Sequence, residues 1–253
     1  MGKIPVALQM YTVRDAAAMD FDGTLRKVAD LGYPGVELAG TGGLSAPDLK
    51  SLLDDLNLKI AGTHVSLAQM ETDFESALDY YSQLGVDFIT CPFLPEDRRQ
   101  GSDAYKKLAA ILNSVGQRAK ERGIQLCYHN HAFEFERFGG ETGFDILFKA
   151  ADPDLVKIEL DVYWVEFAGE SAVAYLKRYA ERVPLVHIKD MTGDGQPTFA
   201  EVGEGRLDFQ AIFEAAESAP GVAWYIVEQD KCQRPSIESA QISLENLKKW
   251  GKA

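Results

Sequence analysis

The sequence predicts a single-domain (β/α)8 barrel of the α/β class, spanning residues 1–253. Three observations predict it. The length of 253 residues is close to the roughly 250 typical of such a barrel. Eight short apolar runs recur along the chain, separated by stretches with helical spacing. The polar residues of chemical interest collect at the ends of those runs, where a barrel builds its sites.

The first run is IPVALQM at 4–10, followed by a helix starting near Asp22. LGYPGVELAG at 31–40 closes that helix with Gly and opens the second strand, because glycine takes the left-handed conformation of a helix end at little cost. Ser45, before Pro47 and the stripe Leu49, Leu52, Leu53 and Leu56, reads as the next helix cap. LKIAGTHV at 58–65 is the third strand, and a helix follows near Asp73. LGVDFITCP at 84–92 is the fourth; Ser102 then precedes Tyr105, Leu108, Ala109, Leu112 and Val115 at helical spacing. RGIQLCYHNH at 122–131 is the fifth, with Thr142 and Asp145 forming an approximate capping box before Leu147 and Phe148. LVKIELDV at 155–162, VPLVHIKD at 183–190 and VAWYIVEQ at 222–229 complete the set, with helices starting near Glu170, Asp208 and Ser236. Strand–helix alternation implies parallel pairing through right-handed crossovers. An open doubly wound sheet would carry a Gly-rich phosphate turn after its first strand, and here that turn reads QMYTVRDAA.

Composition removes several classes. Lys+Arg are 26 against 39 Asp+Glu, a net charge of -13, which argues against nucleic acid because a phosphate backbone demands a basic stripe. No apolar run approaches the ~20 residues of a membrane helix, and MGKIPVALQMYTVRD lacks the apolar core of a signal peptide. Cys91, Cys127 and Cys232 are far apart and form no CxxC pair, so neither a disulfide framework nor a zinc knuckle is expected. The expectation is a cytoplasmic enzyme of small sugars or polyols, with a homo-oligomer allowed.

The strand ends carry the chemistry: Gln9, Tyr11 and Arg14; Glu37; His64 and Ser66; His129, Asn130, His131 and the later Glu134; Glu159 and Asp161; His187, Lys189 and Asp190; and Glu228. All four histidines of the chain fall in this set. Residues two apart on a strand share a face, so His129 pairs with His131, Glu159 with Asp161, and His187 with Lys189. If Asp161, His187 and Glu228 converge, their carboxylates repel unless a cation joins them. A mixed oxygen and nitrogen set suits Mn2+, Mg2+, Co2+ or Zn2+. Such a metal chelates adjacent sugar oxygens and stabilises an enediolate. Blander readings stand beside these: Asp161 as a helix cap, His187 as a core histidine, Glu228 as surface charge, Glu159 as an ion-pair partner of Lys189 or an arginine. Arg14 reads as an anion contact or a partner of Asp15 or Glu37. Trp164, Phe133 and Phe135 read as pocket walls or ordinary packing. Gly203 and Gly205 read as a turn, with phosphate binding a minor alternative.

Taken together, LQMYTVRD (8–15), GVELAG (35–40), YHNHAFEFE (128–136), ELDVYWVEFAG (159–169), PLVHIKDM (184–191), VGEGRLDF (202–209) and IVEQD (226–230) resemble one family. It is the xylose isomerase-like TIM barrels, the sugar phosphate isomerase/epimerase superfamily that includes inosose dehydratases. The resemblance implies one divalent metal held by a strand-5 Glu, a strand-6 Asp, a strand-7 His and a strand-8 Glu. Asp161, His187 and Glu228 match the last three. The strand-5 Glu position reads His129 here. Either His129 takes that role or Glu134 reaches back from the loop, and Glu134 is preferred because it keeps the site's charge. On this reading Glu228, His131 and Lys189 are the catalytic candidates, while Gln9, Glu37, His64, His129, Glu159 and Trp164 line the substrate pocket. The expected activity is metal-dependent isomerisation or epimerisation of a ketose-type sugar. A lyase removing a β-leaving group from keto-inositols or keto-glycosides is the alternative, which the HNH strand favours. A barrel that binds carbohydrate without turning it over is the third reading.

Overall fold

A computed structural model describes residues 3–193 and 195–253. All eight expected strands form: β1 (Val6–Gln9), β2 (Gly35–Leu38), β3 (Lys59–His64), β4 (Phe88–Cys91), β5 (Gln125–His129), β6 (Val156–Asp161), β7 (Leu185–Ile188) and β8 (Trp224–Val227). They close into one parallel barrel in chain order, β8 pairing with β1 through Val6–Tyr225, Ala7–Ile226 and Leu8–Val227. The crossovers are α1 (Phe21–Leu31), α2 (Ala46–Asp55), α3 (Phe74–Leu84), α4 (Ser102–Glu121), α5 (Gly143–Ala150), α6 (Ala172–Arg178), α7 (Phe209–Ser218) and α8 (Ser236–Lys249). Among the described residues, no helix is long and apolar enough to cross a membrane.

Local chemistry sets the helix ends. Ser45 Oγ accepts from Asp48 N at 3.3 Å, Thr142 Oγ1 from Asp145 N at 3.0 Å and Asp208 Oδ1 from Ala211 N at 3.1 Å, each satisfying an amide that has no partner within the helix. Gly32 ends α1 with φ 95° and Gly85 ends α3 with φ 75°. Ser102 is the first residue of α4 rather than its cap, which is Gly101. Three further helices, Arg14–Met19, Leu67–Thr72 and Val162–Phe167, follow β1, β3 and β6 on the side of the strand C-termini. Two short hairpins lie there too, pairing Arg137–Phe138 with Glu141–Thr142 and Asp190–Met191 with Phe199–Ala200.

The tube's interior changes character along its axis. Its lower part is a small apolar cluster of Ala7, Ala61, Cys127, Leu185, Trp224 and Ile226. Two residues further along the same strands stand Gln9, His129, His187 and Glu228, all buried. One irregularity sets the phase of β3. Its pairing with β2 passes from Val36–Ile60 to Glu37–Gly62, a bulge that skips Ala61 and lets both Ala61 and His64 face inward. Gly62 then leaves room for a buried carboxylate, since a Cβ there would lie 3.0 Å from Glu37 Oε1.

Candidate metal centre and cavity

Strand alternation delivers a cluster of ionisable side chains to the upper interior. Glu159 is at the centre of the deeper layer. Its Oε1 lies 2.8 Å from His64 Nε2, 2.9 Å from His129 Nδ1 and 3.1 Å from His187 Nε2, and its Oε2 accepts from Thr90 Oγ1 at 2.8 Å. Glu37 Oε2 sits 2.7 Å from His187 Nε2 and accepts from Gln9 Nε2 at 2.6 Å. Above this layer, His187 Nδ1 lies 2.8 Å from Glu228 Oε2, and His129 Nε2 is 3.5 Å from Asp161 Oδ2. Lys189 Nζ, only 1% exposed, reaches Asp161 Oδ2 at 2.9 Å, Glu228 Oε2 at 2.8 Å and Asp230 Oδ2 at 2.9 Å.

His129, Asp161, His187 and Glu228 each offer one ligand atom, and these atoms lie within 4.8 Å of one another. The deeper set of His64, His129, Glu159 and His187 meets the same limit. Asp161 tests whether a cation fits. Its Oδ1 accepts from Trp164 N at 3.0 Å and caps the Val162–Phe167 helix, so the structural reading of this residue also holds. Its Oδ2 is buried without a hydrogen-bond donor, because Lys189 Nζ is near but off the bonding direction. A buried carboxylate oxygen left unpaired is costly. A cation among these two imidazoles and two carboxylates supplies the missing partner, and the donor set fits a borderline divalent ion.

Burial and charge oppose each other throughout. Burial disfavours the ammonium of Lys189, but Asp161, Glu228 and Asp230 outweigh it and hold the proton well above the usual range. Burial works against Glu228 too, yet Lys189 and His187 hold it well below the usual range. Burial prevails at Asp161, pushed up to about 6, and at Asp230, also raised. His64 is raised to about 10: burial opposes its charge, and Glu37 and Glu159 overcome it. Burial lowers His129 to about 3 and takes His131 well below its ordinary value, His129 and Lys189 adding to the effect at His131.

A cavity of about 510 Å³ opens onto this group. Tyr11, Phe93, His64, His129, His131, Glu228 and Asp230 are among its walls. His131 stacks on Phe133 at 5.5 Å between centroids and meets Phe93 edge-on at 5.2 Å. Its Nδ1 and Trp164 Nε1 are buried without partners.

Several expected residues take other positions. Glu134 does not join the ligand group. Tyr128 alternates with His129 and so points away from the interior, packing against Phe148 of α5. Its hydroxyl donates to Glu134 Oε1 at 2.6 Å, and His131 N donates to Oε2 at 2.8 Å. With both oxygens taken outside the tube, Glu134 is replaced in the group by His129. Burial also pushes its carboxyl up to about 8. Gln9, Glu37 and Glu159 lie one layer beneath the cavity wall, and Lys189 and Trp164 stand behind it. Glu159 meets imidazoles and Thr90 rather than Lys189. Arg14 donates to the carbonyl oxygens of Tyr11 and Asp230, each at 2.7 Å, and so straps the first and last loops together. The Gly203–Gly205 turn is not a phosphate cradle. Gly203 N and Gly205 N donate to Asp190 Oδ2 at 2.9 and 3.0 Å, and Met191 N and Leu207 N donate to Oδ1.

Sequence reasoning missed Asp230 and Thr90, and it named Asn130 without giving it a role. Asp230 sits two residues past Glu228, so the alternation that found His131 and Lys189 would have found it. Asn130 clamps β6 to β5, its Oδ1 accepting from Asp161 N at 3.0 Å and its Nδ2 donating to Asp161 O at 3.2 Å.

Comparison with known proteins finds relatives of the same fold. An inosose dehydratase of Clostridium beijerinckii is 25% identical, over 86% of this chain and 84% of that protein. A sugar phosphate isomerase/epimerase structure from Parabacteroides distasonis superposes with a TM-score of 0.83 at 28% identity, covering 98% of this chain and 94% of that one. The IolI protein, solved with a zinc atom, shares the fold at a TM-score of 0.78 and 15% identity, covering 97% of each chain. A family model described as xylose isomerase-like TIM barrel matches residues 25–250. The closed parallel barrel and this match over most of its length lead to one assignment: the chain belongs to the xylose isomerase-like TIM barrel family, whose named members among its relatives are enzymes.

Proposed function

We propose that this chain is a divalent-metal-dependent isomerase or epimerase of a ketose-type sugar or sugar derivative, with His129, Asp161, His187 and Glu228 holding Mn2+, Mg2+, Co2+ or Zn2+. The carrying observation is geometric: the ligand atoms of His129, Asp161, His187 and Glu228 lie within 4.8 Å of one another beside a cavity that His131 also lines. A divalent cation held by these four side chains would supply Lewis-acid polarisation of substrate oxygens and would offset the negative charge left when a proton leaves the carbon beside a carbonyl. His131 faces the cavity already free of the proton a base must be free of. Phe93, Phe133 and Trp164 surround its ring and keep water off it. Lys189 keeps a proton one layer back, hydrogen-bonded toward Asp230 and within 2.8 Å of Glu228, both of which line the cavity. Through these carboxylates a proton returns to the substrate at a second carbon. The thiols of Cys91, Cys127 and Cys232 are free, which suits a cytoplasmic setting.

A second reading has support of its own. Several curated relatives are inosose dehydratases, and a proton held at Lys189 also suits a departing hydroxyl. One experiment separates the readings. The metal-loaded protein is incubated with ketoses and keto-cyclitols in D2O, and products are followed by mass spectrometry. Isomerisation or epimerisation incorporates deuterium and conserves the heavy-atom formula, whereas dehydration loses water. Asp161→Asn and Glu228→Gln are expected to lose metal and exchange together while remaining folded. Absence of exchange and of water loss with the full panel would leave a carbohydrate-binding barrel.

A further inference from the structure

We infer that Glu159 is a positioning residue: one of its oxygens decides which nitrogen of His129 faces the ligand group. This rests on the ligand set proposed above. His129 Nδ1 and His187 Nε2 converge on Glu159 Oε1 at 2.9 and 3.1 Å. The other nitrogen of each ring turns outward, His129 Nε2 toward Asp161 Oδ2 at 3.5 Å and His187 Nδ1 toward Glu228 Oε2 at 2.8 Å. A neutral imidazole carries one proton. An anionic acceptor on one side draws the proton there and leaves the lone pair on the other. For His129 that acceptor is Glu159 Oε1, whereas His187 lies between two carboxylates, its Nε2 hydrogen-bonded to Glu37 Oε2 at 2.7 Å and its Nδ1 to Glu228 Oε2 at 2.8 Å.

The anchoring of Glu159 fits this role. Its side chain is fully buried, Thr90 Oγ1 donates to Oε2 at 2.8 Å, and His64 Nε2 meets Oε1 from the third strand at 2.8 Å. Glu37 provides an internal comparison. It reaches His187 Nε2 at 2.7 Å and His64 Nε2 at 3.3 Å. Among the described residues, Glu159 is the one carboxylate within 4 Å of a nitrogen on both His129 and His187 from beneath, where it leaves their outward nitrogens free. Loss of Glu37 removes the hydrogen bond of His187 Nε2, and loss of Glu159 removes that of His129 Nδ1.

The test uses metal-free full-length protein titrated with Co2+, read by calorimetry and by the visible absorption of the bound ion, which reports ligand identity and angle. Glu159→Gln is expected to bind about 10- to 100-fold more weakly with a displaced spectrum. Thr90→Val removes only the hydroxyl that holds Oε2; it is expected to weaken binding several-fold and decides the matter if Glu159→Gln does not fold. Unchanged affinity and spectrum in Glu159→Gln, or in Thr90→Val where that variant decides, overturn the inference and leave the ligand set standing. If the unaltered protein does not bind Co2+, the ligand set falls and this inference with it.

Discussion

The two halves of the barrel interior are built on the same strands and hold opposite kinds of side chain. Below, Ala7, Cys127, Leu185 and Ile226 close the tube with apolar surface. Above, Gln9, His129, His187 and Glu228 stand two residues further along those strands. The lower half is stabilised by burial alone, whose strength follows area and is indifferent to ions. The upper half is stabilised only while charges balance, because a buried charge without its partner is strongly unfavourable. The barrel thus confines its electrostatic liability to the end where a ligand can enter and relieve it.

This contrast is breakable from either side. The largest effect is expected for Lys189→Met, which leaves Asp161, Glu228 and Asp230 without their ammonium. Without metal the variant should lose about 3–5 kcal/mol in chemical denaturation, and divalent cation should restore part of that loss. Ile226→Ala removes a fully buried side chain from the lower half. It should destabilise by about 2–5 kcal/mol, measured the same way, by equal amounts with and without metal. A metal-dependent loss there would show that the halves are not independent. The smallest effect concerns pH. His64 is raised from 6.5 to about 10 by Glu37 and Glu159, against its burial. Its contribution to stability is therefore fully present below about 6.5 and disappears as pH rises through about 10. In chelator, the Tm of the unaltered protein should fall more steeply between pH 8 and 11 than that of His64→Asn. Parallel curves would mean that His64 is not charged in the fold.

Much of this was legible in the sequence, for physical reasons. Strands and caps depend on nearby residues, so Ser45, Thr142 and Asp208 appear as caps where spacing puts them. The inward direction of His129 and His187 was legible because alternation fixes which residues of a strand share a face, whereas His64 joins them only through a bulge that breaks it. Glu134 was misread because it lies in a loop, where no periodicity fixes direction; the hydroxyl of Tyr128 captures it on the far side of β5. The bulge at Ala61 was invisible because register belongs to a pair of strands and not to either one. Lys189 was offered as a partner to Glu159, yet its ammonium meets Asp161, Glu228 and Asp230, with the Trp164 ring 5.7 Å away.

Asp190 has a consequence of its own. Its carboxylate gathers amides from Met191, Gly203, Gly205 and Leu207, and it immediately follows Lys189 in the chain. A Cβ on Gly205 would fall 2.2 Å from Asp190 Oδ1, so Gly205→Ala must push this knot open. Because the knot clamps the backbone next to the ammonium, an insertion or substitution in the 203–207 segment would be transmitted as slack to Lys189. Engineers who graft new loops onto this barrel should therefore treat that segment as part of the chassis rather than as a decorative surface turn.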